Sequence, residues 1–440
     1  YTSVWFSAIY LLLFISLIGC IVPRIVSHAK ALRRQPPRVP ARLDRLAAHA
    51  SMTTSASAAE VSQRAQQWLK SHRYRFVVDD DGSLRAEAGR HRETGNLVFH
   101  IFLVFVLVGV GWNTLWGFKG TSVVVEGQGF SNSITQYDEF KAGAMVDTDN
   151  LTPFSMKLRK FVVSFETGTV QRGAARSFDA TVDLTMGGKT QTRDLQVNHP
   201  LRIGSTKVHL LGHGYAADVV VRDGDGKVAY SGPVVFLPQD ANFKSVGVIK
   251  APDARPDRLA FQGFFLPTGA ITAGGPTSLF PDALNPQLYL TAWYGKPTVE
   301  TGVPSNIYTL DTTGLTQVTN GKDKARFVLS PGQRYKLPDG KGSIQFNGWQ
   351  RWAKIQVSQN PGLPLTFLSV VLSVAGLCVS LFSRSRRVWV RTIPGDDGLR
   401  VEIGGLDRSD SRSGAVDDVN SLLAALHGDS MSGDVEEEHS

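Results

Sequence analysis

Three apolar blocks constrain this chain of 440 residues more than any other feature. They run from Val4 to Val22, from about Asn96 to Trp116, and from Leu363 to Phe382. Each is roughly 19–21 residues long, enough for a helix to cross about 30 Å of hydrocarbon. A helix satisfies its own backbone hydrogen bonds, which lipid cannot do for it, so such a block has few alternatives. Mean hydropathy is near zero only because the rest of the chain is polar. The near-absence of charge inside the blocks and their basic flanks argue against three buried helices of a soluble domain.

Arginine sets an expected orientation. Arg24 closes the first block and Arg33, Arg34, Arg38, Arg42 and Arg45 follow it. Arg90, His91 and Arg92 precede the second, and Arg384, Arg386, Arg387 and Arg391 follow the third. Positive residues stay inside, which predicts a membrane helix over 1–23 running from out to in and a cytoplasmic linker with a small α/β packet over 24–94. A helix over 95–117, an extracytoplasmic β-rich domain over 118–360, a helix over 361–383 and a partly disordered cytoplasmic tail over 384–440 complete the plan. The expected fold class is thus α-helical transmembrane segments plus a large extracytoplasmic, mainly-β domain, in a multi-pass protein of a bacterial plasma membrane. Tyr1 would lie outside, and the expectation is a further membrane helix or a signal sequence upstream, or a cleaved signal peptide. The net charge of +8 is met largely by the orienting arginines and needs no nucleic-acid partner.

Between the blocks, Pro36, Pro37, Pro40 and a Ser/Thr/Ala tract make residues 30–58 read as a linker with little core. Val61, Ala65, Trp68 and Leu69 have helical spacing, and Tyr74–Val78 with Leu84–Ala86 read as a hairpin. Alternation in Phe161–Glu166 and Phe178–Leu184 predicts strands. Asp218–Arg222, a turn at Asp223–Gly226, and Val228–Tyr230 predict a hairpin. Few helices are expected between 118 and 360. A hairpin over Val388–Ile403 and a helix over Asp417–Leu426 precede an acidic end that is expected to be disordered.

His100 stands inside the second block, where an ionisable group is costly. Three uses fit: an imidazole bonded to a neighbouring helix's carbonyl, an axial ligand to a porphyrin iron, or a proton relay. One histidine supplies one ligand and no other lies within the three blocks, so a second would come from another chain or a missing helix. His91 belongs with the orienting cluster, while Arg90 and Arg92 are candidate contacts for haem propionates. Cys20 and Cys378 both lie in apolar blocks, so the predicted outer domain has no disulfide framework; the pair can also be imagined meeting or binding metal. His199, His209 and His213 fall close together, but the stretch reads as strand and a shared metal is not expected. There is no Cys-x-x-Cys-His, Gly-x-Ser-x-Gly, His-Glu-x-x-His or phosphate-binding loop.

Four blocks carry a family likeness. Trp5–Arg24 resembles the second membrane helix of the ResB family of System II cytochrome c biogenesis. Ala86-Glu87-Ala88-Gly89-Arg90 with Gly95–His100 resembles that family's approach to its third helix. Asn198–Leu201 and Gly212–Tyr215 resemble the actinobacterial branch, and Gln356–Leu365 is similar to the lead into the last helix. The likeness implies a subunit of a haem-translocating cytochrome c synthase, with haem bound in transit and shared with a partner chain. It implies a ResC/CcsA-type membrane partner, Cys-x-x-Cys-His apocytochrome c as recipient, and a thioredoxin-like thiol reductant among possible contacts. His100 matches the family's intramembrane histidine, thought to ligate haem iron. No catalytic residue is assigned, and the chain is not expected to be an enzyme alone. The rival expectation is a membrane-anchored scaffold, or an accessory subunit of a transporter or signalling complex, that binds no haem.

Overall fold

The computed structural model describes residues 3–297, 308–396, 398–407 and 414–427; the acidic end expected to be disordered lies outside them. The chain divides into two compact units, Tyr1–Trp112 with Gly362–Ser440, and Asn113–Pro361. Among the described residues the helices are α1 (Val4–Arg33), α2 (Ala58–Ser71), α3 (His91–Trp116), α4 (Leu363–Phe382) and α5 (Gly414–His427). Of these, α1, α3 and α4 are long and apolar enough to cross a membrane.

Small residues bring α3 and α4 together. A Cβ on Gly95 would lie 2.6 Å from the Gly376 carbonyl oxygen, and one on Gly376 2.8 Å from the Phe99 nitrogen. A Cβ on Gly109 would lie 2.4 Å from Thr366 Oγ1. Contacts that descend α4 as they ascend α3 make the pair antiparallel, and the glycines allow the backbone approach on which helix packing in lipid depends. Helix α1 joins them more sparsely: the Tyr10 hydroxyl donates to the Leu107 carbonyl, and Ile21 is its buried residue.

The first helix runs well beyond its apolar block. Pro23 lies inside it rather than ending it; an interior proline costs one backbone bond, which membrane helices tolerate with local compensation. The residues that follow, Arg24 to Arg33, include good helix formers, so the helix continues to Arg33.

The expected linker over 30–58 is also corrected. Ala48–Thr54 is a strand paired with Gly398–Asp407, and the five-stranded sheet they share includes Arg386–Gly395, Leu84–Ala88 and Arg75–Val78. The expected hairpins are both present in it. Successive strand residues face opposite sides. A Cβ on Gly405 would meet Val419 of α5, and one on Gly404 would meet Leu43 and Leu46. The segment before the first strand therefore covers the face that α5 does not. Arg85 and Trp389 bind it there, donating to the Pro36 and Pro37 carbonyls at 3.2 and 3.0 Å. Proline hid this segment because it packs with no regular structure beyond one 3-10 turn at Leu43–Arg45. On the other face, α2 buries the predicted Val61, Ala65, Trp68 and Leu69. A Ser57–Glu60 capping box starts that helix.

In the second unit two strands, Thr206–Arg222 and Ser343–Gln359, pair along their whole length. At seventeen residues each they are long enough to serve two cores. Val208, Leu210, Ile355 and Val357 pack with Phe118, Phe130, Met156 and Phe161. Tyr215, Val219, Ile344 and Phe346 pack with Phe236, Phe261 and Phe265. Irregularities in pairing fall at Leu210/Gly212 and Asp218/Val219, where bulges bend and twist strands. The unit's first strand, Phe118–Val125, lies beside the last, with Phe118 opposite Gln359. The predicted hairpin is present, its turn fixed by Asp223 Oδ1 accepting from the Asp225 and Lys227 amides. The fold class is the expected one: membrane helices with a large, mostly-β domain.

Candidate functional site

At their arginine-bearing ends α1, α3 and α4 enclose a cleft of about 510 Å³, a size typical of small-molecule sites. Ile21, Arg24 and His28 line it from α1, and Arg92, Asn96, Leu97 and His100 from α3. Helix periodicity explains the selection. Residues four apart share a helix face, so Arg24 and His28 come together, as do Arg92, Asn96 and His100. Arg92 and His100, eight residues apart, are separated by about 12 Å of helical rise.

His100 Nδ1 lies 2.7 Å from the Asn96 carbonyl oxygen. A carbonyl only accepts, so Nδ1 is the donor, and in the neutral imidazole the lone pair is then on Nε2. Nε2 has no hydrogen-bond partner among the described residues. Metal-bound imidazoles commonly have their second N–H held by such an acceptor, which fixes tautomer and ring orientation. The acceptor here belongs to the histidine's own helix, not to a neighbouring one. The Phe99 ring packs edge-on against the imidazole, 4.9 Å between centroids.

The guanidiniums of Arg24 and Arg92 have no hydrogen-bond or ion-pair partner among the described residues. The cleft therefore offers one imidazole lone pair and two unpaired cations. Among the described residues no group of three or more His, Cys, Asp or Glu is placed to hold a bare metal ion. An iron already held in a macrocycle needs only axial donors, and Arg pairs well with carboxylates. The donor set fits a metallated, carboxylated macrocycle better than a free ion.

Arg90 lies elsewhere. It donates to the Ala31 carbonyl at 2.5 Å and pairs with Glu87 at 3.4 Å, lining an adjoining cleft. His91 opens α3, exposed and outside the cleft. Arg24 and His28 escape a sequence reading that stops the first helix at Pro23, although their spacing of four was a usable signal. The two thiols, Cys20 and Cys378, are free and exposed. His209 and His213 share one strand, where four residues span about 13 Å, too far for one ion. His213 sits among phenylalanines, and burial pushes its pKa down to about 4.

The model of the ResB-like family matches residues 1–416. A cytochrome c biogenesis protein CcsB of Synechococcus sp. (strain JA-3-3Ab) is 24% identical over 316 residues, 71% of this chain and 55% of that protein. The CcsB of Picosynechococcus sp. (strain ATCC 27264 / PCC 7002 / PR-6) is 26% identical over 46% of this chain and 41% of its own length. The chain thus spans about half the length of these two relatives. The CcsB of Synechococcus sp. (strain WH7803) is 24% identical over 92% of this chain and 78% of its own length. With a family model matched across all three apolar helices and the β domain, the chain belongs to the ResB-like family.

Proposed function

We propose that this chain works in cytochrome c biogenesis, as a subunit that helps carry haem across a membrane for attachment to Cys-x-x-Cys-His apocytochromes. The observation that carries the reading is the His100 imidazole. Its Nδ1 proton is committed to the Asn96 carbonyl, and its Nε2 is left unpaired in a cleft that also holds Arg24 and Arg92. Haem is cargo here. Its iron would take Nε2 as one axial ligand, and its propionates would take the guanidiniums. The second axial ligand would come from a ResC/CcsA-type partner.

The arginine-rich ends of the helices and the small sheet would face the cytoplasm, and residues 118–360 would lie outside. The β domain, with no cysteine of its own, would dock the partner, the apocytochrome or a thioredoxin-like reductant. The names of the relatives and the family match support the pathway; the cleft supports the cargo.

The test is the absorption spectrum of the chain purified with its partner, wild type against His100→Ala. Loss or respectroscopy of the bound haem in the variant is expected. Unchanged haem content and ligation would overturn the assignment and favour a scaffold that binds no haem.

A further inference from the structure

A second cleft of about 240 Å³ adjoins the first, and His28, Glu93 and Ser385 line both. It forms where the chain passes between the membrane-type helices and the small sheet. Arg34 reaches it just past α1, Glu87 and Arg90 come from the approach to α3, and Arg387 lies just after α4. Arg90 is engaged with Glu87 and Ala31. The side chains of Arg34 and Arg387 have no hydrogen-bond or ion-pair partner among the described residues. The second cleft therefore repeats the first in holding two unpaired guanidiniums, but it lacks an imidazole of the His100 kind.

His28 stands between the two. Its side chain is only 11% exposed. Nε2 lies 3.0 Å from Thr94 Oγ1. Nδ1 is buried with no hydrogen-bond partner, 3.8 Å from Glu93 Oε2. The His28 side chain is tied by one hydrogen bond to Thr94 beside Glu93, and its rotation would join the two spaces.

We infer that the second cleft is a loading site for carboxylates, where Arg34 and Arg387 receive the acidic edge of the cargo before it passes His28 to reach Arg24, Arg92 and His100. The inference rests on the haem reading above. Guanidinium recognises carboxylate through paired hydrogen bonds, so this site would read the propionate edge whether or not the macrocycle holds iron. The phosphate of an anionic lipid offers similar acceptors, and the test separates the two.

The measurement is stopped-flow loading of haemin into the full chain with its partner in detergent. Wild type, Arg34→Ala/Arg387→Ala and His100→Ala are compared, with elution profile and circular dichroism confirming that each folds. The double variant should load about fivefold more slowly, as loss of steering charge affects association, while its final spectrum still reports ligation by His100. Haemin dimethyl ester, its carboxylates blocked, should load at one slow rate in both proteins. An unchanged rate for haemin in the double variant overturns the loading site, and so does a change confined to co-purified anionic lipid. His100→Ala reports on the haem reading separately: if its spectrum matches wild type that reading fails, whatever the arginine variant does.

Discussion

Two half-buried histidines, one in the helical unit and one in the β domain, show how a residue's surroundings decide its use. His100 has one nitrogen bonded to a carbonyl and the other unpaired, in a cleft with unpaired cations. His213 is ringed by Phe161, Phe165, Phe178 and Phe243, with centroids 5.7, 6.3, 5.2 and 4.6 Å away. Its Nδ1 is buried without a partner. Burial first, and then the charge of Arg351, disfavour its protonation. Phe243, stacked on it, sits at φ 58°, a conformation that costs a large side chain energy and is held by its surroundings. A ligand needs its second nitrogen oriented. His100 has that and His213 does not, although His213 stands in the stretch richer in histidine.

The largest effect that tests this contrast is on haem. His100→Ala should lower haem content of the purified complex by about tenfold or more, while His213→Ala leaves it unchanged. Equal losses would erase the distinction. The next effect is on acid stability. Unfolded, His213 would titrate near 6.5; folded, its pKa is about 4. The unfolded state therefore binds the extra proton first, and stability present above pH 6.5 is lost as pH falls toward 4. The loss amounts to roughly 3 kcal/mol. Thermal unfolding of the full chain across that range should show it, and His213→Phe should flatten the slope. A variant slope equal to wild type would show that His213 is not neutral in its box.

Helix packing comes next. Gly376→Val places side-chain atoms against the α3 backbone and should destabilise the helical unit by about 1–3 kcal/mol, read as a lower melting temperature with the β-domain transition unmoved. Loss of both transitions together would show the two units to be coupled. Smallest is Asn96→Ala. The acceptor for His100 is the Asn96 backbone carbonyl, so removing the amide side chain should leave the iron spectrum in place. A shifted spectrum would mean that the side chain, not the backbone, sets the imidazole.

Much of the fold is legible because its signals are local. The α2 stripe, the Asp223 turn and the hairpins at each end of the small sheet depend on residues close in sequence. The segment covering the far side of that sheet is not legible, because Leu43 and Leu46 find their contact at Gly404, far along the chain. Part of the site is equally hidden. His100 is conspicuous because an ionisable side chain is rare in an apolar helix, but Arg24 and His28 look like flanking residues until α1 is seen to continue past Pro23.

The amino-acid sequence by itself determines three spans, a β-rich domain between two of them, and a histidine in an apolar setting, since hydropathy and periodicity are properties of neighbouring residues. Only the tertiary structure decides that His100, Arg24, Arg92 and His28 share one cleft, that the Nδ1 proton is committed and Nε2 is not, and that His213 is packing. These depend on which helix faces meet and which polar atoms find partners. Close backbone approach at Gly95, Gly109 and Gly376 settles that for α3 and α4, and no local pattern encodes it.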